Sequence, residues 1–180
     1  ILQRKQSIIQ SFSFDELSED DYPKESKRHL RKFLDTTKAQ LFFANGVLLV
    51  EGVAEAIIIP ILAKKFLTEK IDLCKSGIEL VNIGGVAFNH FGLLFNNDDE
   101  RKRLLSKCAI ITDSDPKDNG DISDRAQKAK DLEKHNLKVC LATHTLEHDL
   151  FEQSERNKAI MRDVYRKMHA QTDDLRGAFN

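Results

Sequence analysis

Nothing in the chain reads as a membrane span or an export signal. No apolar run approaches the roughly 20 residues that cross a bilayer, and residues 1–10 have no apolar signal core. The expectation is a soluble, cytoplasmic protein with no membrane partner. Cysteine is scarce: Cys74, Cys108 and Cys140 are the whole complement, and none stands in a Cys-x-x-Cys or Cys/His ligand spacing. This excludes a disulfide framework and a zinc site, and reads the thiols as small buried hydrophobes in a reducing compartment. A basic excess is also missing, since 28 Lys and Arg stand against 29 Asp and Glu for a formal net charge of −1. Such a balance does not announce a nucleic-acid binder unless bound cations and a partner domain supply the positive field. Repeats and low-complexity tracts are absent. No G-x-x-x-x-G-K-[ST] loop occurs, so any ATPase lies outside these residues, and no G-x-S-x-G elbow surrounds Ser11, Ser13 or Ser114, which leaves acyl transfer without its signature.

What is present suffices for one well-cored domain with helical additions, because 180 residues at 41% hydrophobic content are too apolar for disorder. Residues 1–22 show no sustained period and read as the tail of an upstream region followed by a linker. Pro23 opens a helix whose stripe is Leu30, Phe33, Leu34 and Leu41, stopped by Asn45-Gly46. From there β-rich runs alternate with helical stretches: a run at 47–50, a helix at 53–66, a run at 78–83, a mainly helical 88–105, a run at 108–112, a helix at 121–136 and a run at 139–142. That order predicts an α/β fold, a parallel sheet flanked by helices, over residues 23–150. Residues 151–180 form a helical addition, an unfinished one, and Ile160, Met161, Val164, Tyr165 and Met168 are expected to pack into a core. The chain is expected to be an excerpt of a longer protein.

Ligands of open α/β sheets bind beyond the carboxyl ends of the strands. The first run, Val47-Leu48-Leu49-Val50, ends in Glu51-Gly52, with Glu55 one helical turn later. The second ends in Gly84-Gly85, the third in Asp113-Ser114-Asp115, and the fourth is followed by Glu147-His148-Asp149. Glu51 and Glu55 can lean toward one point across a strand-to-helix turn. Asp113 and Asp115 are expected to face one side of extended backbone held by Pro116, and Glu147 and Asp149 likewise if the chain is extended there. Six converging carboxylates repel one another without cations, and hard oxygen donors select Mg²⁺, Mn²⁺ or Ca²⁺ over zinc. Each acid taken singly is as well explained by helix capping or solvation; three pairs after three strands are not. Gly84-Gly85 would let a phosphate or metal approach closely, although a Gly pair is more often only a turn. His144 and His148, beside Glu147, are read as surface imidazoles before ligand-orienting ones.

A calcium loop fails on spacing. With Gly120 at the sixth position, Lys117 falls at the third and Ala126 at the twelfth, where acidic ligands are needed. Lys24, Lys27, Arg28, Arg31, Lys32, Arg101, Lys102 and Arg103 could hold a phosphate backbone, though solvated helix faces explain most of them.

Val50-Glu51-Gly52 with Glu55, then a strand ending in Asp113-x-Asp115, resembles the Toprim domain of topoisomerases, primases and related nucleases. The fuller series narrows the resemblance. Leu34-Asp35-Thr36-Thr37-Lys38, Leu41 to Ala44, Gly46 to Glu55, Val81-Asn82-Ile83-Gly84-Gly85, Thr112 to Asp115 and Thr145-Leu146-Glu147-His148-Asp149 together resemble the OLD (overcoming lysogenization defect) family of nucleases. The resemblance implies a Rossmann-like Toprim fold, an upstream ATPase domain of the same protein and a two-metal DNA endonuclease. In it Glu51, Glu55, Asp113 and Asp115 are catalytic and metal-binding, Glu147 and Asp149 are further metal ligands, and Gly52, Gly84, Gly85 and Ser114 form the phosphate-side loops. Two Mg²⁺ or Mn²⁺ ions, about 4 Å apart, would straddle the scissile phosphate, with Ca²⁺ as inhibitor or substitute. One departure stands out: where the family tends to a Lys-Gly-x-Phe-like segment, this chain has Arg176-Gly177-Ala178-Phe179, which makes Arg176 the catalytic counterpart, able to stabilise phosphate charge but a poorer proton donor than lysine. Cutting both strands calls for two sites and hence a homodimer. The rival readings are a receiver-like Mg²⁺ phosphotransfer module and a non-catalytic module within an ATP-driven assembly.

Overall fold

The computed structural model describes residues 2–5, 8–13, 16–33, 39–66, 71–85 and 88–169. Two short antiparallel strands, β1 (Leu2–Lys5) and β2 (Ile8–Ser11), lead into α1 (Lys24–Phe33), which starts directly after Pro23. A 3-10 turn at Ala39–Phe43 precedes β3 (Gly46–Val50), and α2 (Val53–Phe66) returns to β4 (Ile78–Asn82). Then follow α3 (Phe88–Gly92), β5 (Lys107–Thr112), α4 (Asp124–Lys130), β6 (Leu137–Leu141), α5 (Leu146–Glu152) and α6 (Glu155–Met168). The four later strands form one parallel sheet in the order β4-β3-β5-β6. The chain is an α/β protein with a parallel, helix-flanked sheet and C-terminal helices, as its alternating pattern predicts.

The core forms where the inward residues of the central strands meet the helices. Val47 and Leu49 of β3, Val81 of β4, Cys108 and Ile110 of β5 and Leu137 of β6 are buried against Leu30 of α1 and Phe88 and Phe91 of α3. Each such Leu or Phe stabilises the fold by about 1.5–3 kcal/mol relative to an exposed one. Phe12, Leu17 and Tyr22 join the same cluster. The N-terminal stretch that lacks any period is thus bound to the sheet domain by a few large side chains, and a few anchors need no period.

Several expectations are corrected. The helix expected over 88–105 is limited to Phe88–Gly92 and a 3-10 turn at Glu100–Lys102. Asn97 and Asp99 divert the backbone there, their carboxyl and amide oxygens accepting the N–H groups of Asp99 (2.9 Å) and Arg101 (3.0 Å). α4 begins only at Asp124, because Ser123 caps it by accepting the Ala126 N–H at 3.2 Å. The leading helix ends at Phe33 among the described residues; Leu34, Asp35, Thr36, Thr37 and Lys38 lie outside them. Of the cysteines only Cys108 is buried, while Cys74 and Cys140 are exposed. The α6 stripe does not enter a core either. Ile160, Val164 and Met168 are exposed, since α6 packs on α5, where Lys158 and Arg162 lie over the Phe151 ring. Among the described residues no helix is long and apolar enough to cross a membrane.

Candidate carboxylate site

The sheet order puts the first strand of the unit, β3, in the middle. The chain moves to one side for β4 and then crosses back to the other for β5. The gap beyond the carboxyl ends of β3 and β5 is therefore a topological switch point, where open α/β sheets bind ligands. Glu51 leaves β3 and Asp113 leaves β5 at this gap.

Glu51 is held from two sides. The Thr112 hydroxyl, at the inward end of β5, donates to Glu51 Oε1 in a short contact, and the Gly85 N–H donates to the Glu51 carbonyl at 3.0 Å. The exits of three neighbouring strands are thus tied together at one residue. Gly84 (φ +66°) and Gly85 (φ +126°) make that tie, and Gly85 in particular takes a conformation that a side chain would oppose. Glu55 sits in the first turn of α2, buried at 8% exposure, with its Oε2 3.1 Å from where a Cβ on Gly52 would stand.

Asp113 accepts the Leu146 N–H at 3.0 Å, which joins the β5 exit to the start of α5. Burial pushes its carboxyl above the ordinary value; the Leu146 hydrogen bond opposes this, and the charges of Glu51, Asp115 and Glu147 add to the rise. Acids from the β3 exit, the β5 exit and the start of α5 therefore act on Asp113 at this edge of the sheet. A cavity of about 180 Å³ opens beside them, lined by Glu55, Thr112, Asp113, Cys140, Leu146 and Asp149.

Two pairs do not stand as expected. Asp115 is not extended after Asp113 but lies at φ +41°, in the left-handed region that Asp tolerates better than most residues. Its carboxylate turns to the Arg125 guanidinium in a close ion pair, and the same Nη2 stands 3.4 Å from Glu51 Oε2. Glu147 and Asp149 lie on a helix, not a strand, because Thr145 caps α5 by accepting the His148 N–H at 3.1 Å. Residues two apart on a helix point to different sides. Asp149 turns back to accept the Thr143 N–H at 2.7 Å and lines the cavity, whereas Glu147 is exposed.

Ser114 is buried, and its hydroxyl donates to the Thr143 carbonyl at 2.7 Å. The His144 and His148 rings lie tilted against each other with centroids 4.9 Å apart, and His148 Nδ1 is 3.8 Å from Asp149 Oδ1. Of the basic residues singled out in the sequence, Lys24 pairs with Glu19, Arg101 with Asp99 and Lys102 with Asp21. Arg176, with Gly177, Ala178 and Phe179, lies outside the described residues. Thr112 stands in the Thr112 to Asp115 segment of the resemblance, but its hydrogen bond to Glu51 is legible only through the fold. Arg125 carries no motif that marks it in the sequence.

The carboxylates suit a hard divalent cation in kind, and their mutual repulsion is what such a cation relieves. Among the described residues, however, no three Asp, Glu, His or Cys side chains stand as a ready-made metal-binding group. Arg125 bridges two of the acids instead.

Residues 42–115 match the family model described as Overcoming lysogenization defect protein-like, TOPRIM domain. A solved structure of the C-terminal region of the Xanthomonas campestris pv. campestris OLD protein is similar over 75% of this chain and 66% of that one, at 24% identity and a TM-score of 0.51. The C-terminal region of the Burkholderia pseudomallei OLD protein is similar over 69% of this chain and 66% of that one, at 21% identity and a TM-score of 0.49. The chain thus spans about two thirds of the length of these solved chains. No curated protein matches it. With Glu51 inside the matched span and Asp113 and Asp115 at its end, the acids at the β3 and β5 exits fall in the segment that is similar to the OLD-like Toprim domain.

Proposed function

We propose that the chain is the metal-dependent DNA endonuclease module of a larger ATPase-nuclease. The observation that carries this reading is the placement of Glu51 and Asp113 at the carboxyl ends of adjacent central strands, on either side of the switch point, with Glu55 and Asp149 on the cavity beside them. Glu51, Glu55, Asp113 and Asp115, with Glu147 and Asp149 behind them, are the residues that would hold two Mg²⁺ or Mn²⁺ ions, with Ca²⁺ as substitute or inhibitor. Bound divalent ions activate water and stabilise the leaving oxygen of a phosphodiester.

The protein's own part is placement. Thr112 aims Glu51, the Leu146 N–H aims Asp113, and Gly85 ties the second loop to the first. A Cβ built on Gly84 or Gly85 would meet nothing within 4 Å among the described residues, so this side of the site is open to a phosphate. Arg176 is proposed to stabilise phosphate charge. DNA is the proposed substrate, and an upstream ATPase domain and a second copy of the chain are the proposed partners.

The test is nicking of supercoiled plasmid with Mg²⁺ or Mn²⁺. Metal-dependent nicking that vanishes in Glu51→Ala and Asp113→Ala supports the nuclease. Equal nicking by both variants, or acetyl-phosphate labelling of Asp113 without nicking, overturns it.

A further inference from the structure

The loop that leaves β5 carries a positive charge back over the acids it has just placed. Arg125, the second residue of α4, bridges Asp115 and Glu51 through one guanidinium nitrogen. Its position is set by backbone ties. Ser123 caps α4, the Ser123 N–H donates to the Ser114 carbonyl at 2.9 Å, and the Ser114 hydroxyl is fixed to the Thr143 carbonyl. Asp115 in turn holds a left-handed backbone conformation while its carboxylate meets this arginine. Such a conformation costs a non-glycine residue on the order of 1 kcal/mol or more, and the ion pair helps to hold it.

Two carboxylates from neighbouring strand exits are thus bridged by one positive side chain, which offsets one of their two charges just where the proposed site needs cations. We propose that Arg125 is the resident counter-cation of the site, a positioning residue that keeps Glu51 and Asp115 together before a divalent ion arrives and releases them to it. The inference rests on these carboxylates forming a metal site. Its physical content is competition: a guanidinium and a metal ion cannot both take Glu51 Oε2 or Asp115 Oδ2, so an ion bound at either oxygen must displace Arg125 from it. The charge of Arg125 therefore weakens metal affinity while it stabilises the metal-free site.

Mn²⁺ binding to the full chain, followed by electron paramagnetic resonance of the free ion, separates these effects without reference to cleavage. Arg125→Gln is expected to bind Mn²⁺ about tenfold more tightly than wild type, and Arg125→Lys, which keeps the charge, within about threefold of it. Asp113→Asn should bind more weakly. If Arg125→Gln binds as wild type does or more weakly while Asp113→Asn is impaired, the role of Arg125 is overturned and the metal site stands. If wild type, Arg125→Gln and Asp113→Asn bind alike or not at all, the metal site fails and the inference with it. The wild-type protein supplies a second measurement that needs no variant to fold: the Arg125 Nε–H resonance should shift on adding Mg²⁺, and an unmoved resonance overturns the proposal.

Discussion

Asp21 and Asp113 are both aspartates crowded by polar groups, yet their surroundings drive their protonation in opposite directions. Asp21 accepts from Lys102 Nζ at 2.7 Å, the Ser18 hydroxyl at 2.6 Å and the Asn97 amide at 3.2 Å; these donors, Lys102 foremost, hold its carboxyl far below the ordinary value. Asp113 is pushed up instead, by burial and by Glu51, Asp115 and Glu147, against a single backbone donor. The first arrangement ties the N-terminal stretch to the loop before β5. The second costs stability that its one tie, the Leu146 N–H, only partly offsets, as expected of acids assembled for a ligand.

The largest effect that sharpens this contrast is on cleavage. Asp113→Asn is expected to lower metal-dependent plasmid nicking by about a hundredfold or more, while Asp21→Asn, assayed where it is folded, stays within about twofold. Comparable losses in both would erase the distinction. Next, Gly85→Ala forces a side chain onto φ +126°, which should cost about 1–3 kcal/mol in chemical denaturation. It should also reduce nicking, because the Gly85 N–H holds the Glu51 carbonyl; unchanged stability would mean the loop relaxes freely. Thr112→Val removes the donor to Glu51 and should cost about 1 kcal/mol, with nicking falling by about tenfold as Glu51 loses its aim.

The smallest effects are those of pH on metal-free stability, and they have opposite signs. Asp21 has a folded value below its unfolded one, near 3.8, so its contribution is present above that value and lost as pH falls below it. Asp113 has a folded value above its unfolded one, so its ionisation opposes folding at neutral pH, and that penalty fades as pH falls through the raised value. Thermal melts should show Asp113→Asn more stable than wild type at neutral pH, with the gap closing on acidification. Asp21→Asn should melt below wild type at neutral pH, with its gap closing only below about pH 4. A lower midpoint for Asp113→Asn at neutral pH would contradict the contrast.

How much of this could be read from residue order depends on how local the cause is. The strands β3, β4 and β5 and the helix α2 lie within a residue or so of their predicted bounds, because apolar runs closed by Gly or an acid are local signals. That the exits carrying Glu51 and Asp113 share one edge is also legible, since a parallel sheet sends every strand exit there. The orientations of the acids at that edge are not. Extended spacing for Asp113 and Asp115 misses a backbone reversal at Asp115, whose N–H donates to the His144 carbonyl at 3.2 Å and whose carboxylate pairs with Arg125. Extended spacing for Glu147 and Asp149 overlooked Thr145, a legible cap immediately before the acids. Arg125 itself reaches Glu51 across 74 residues of chain, and no spacing rule spans that.

The most direct test of the central claim is the anomalous difference map of a crystal soaked in Mn²⁺. Peaks in contact with the Glu51 and Asp113 carboxylates, with Arg125 withdrawn from Glu51, are the predicted result. A map with no peak at this edge of the sheet, and Arg125 still bridging Glu51 and Asp115 at saturating Mn²⁺, would contradict it.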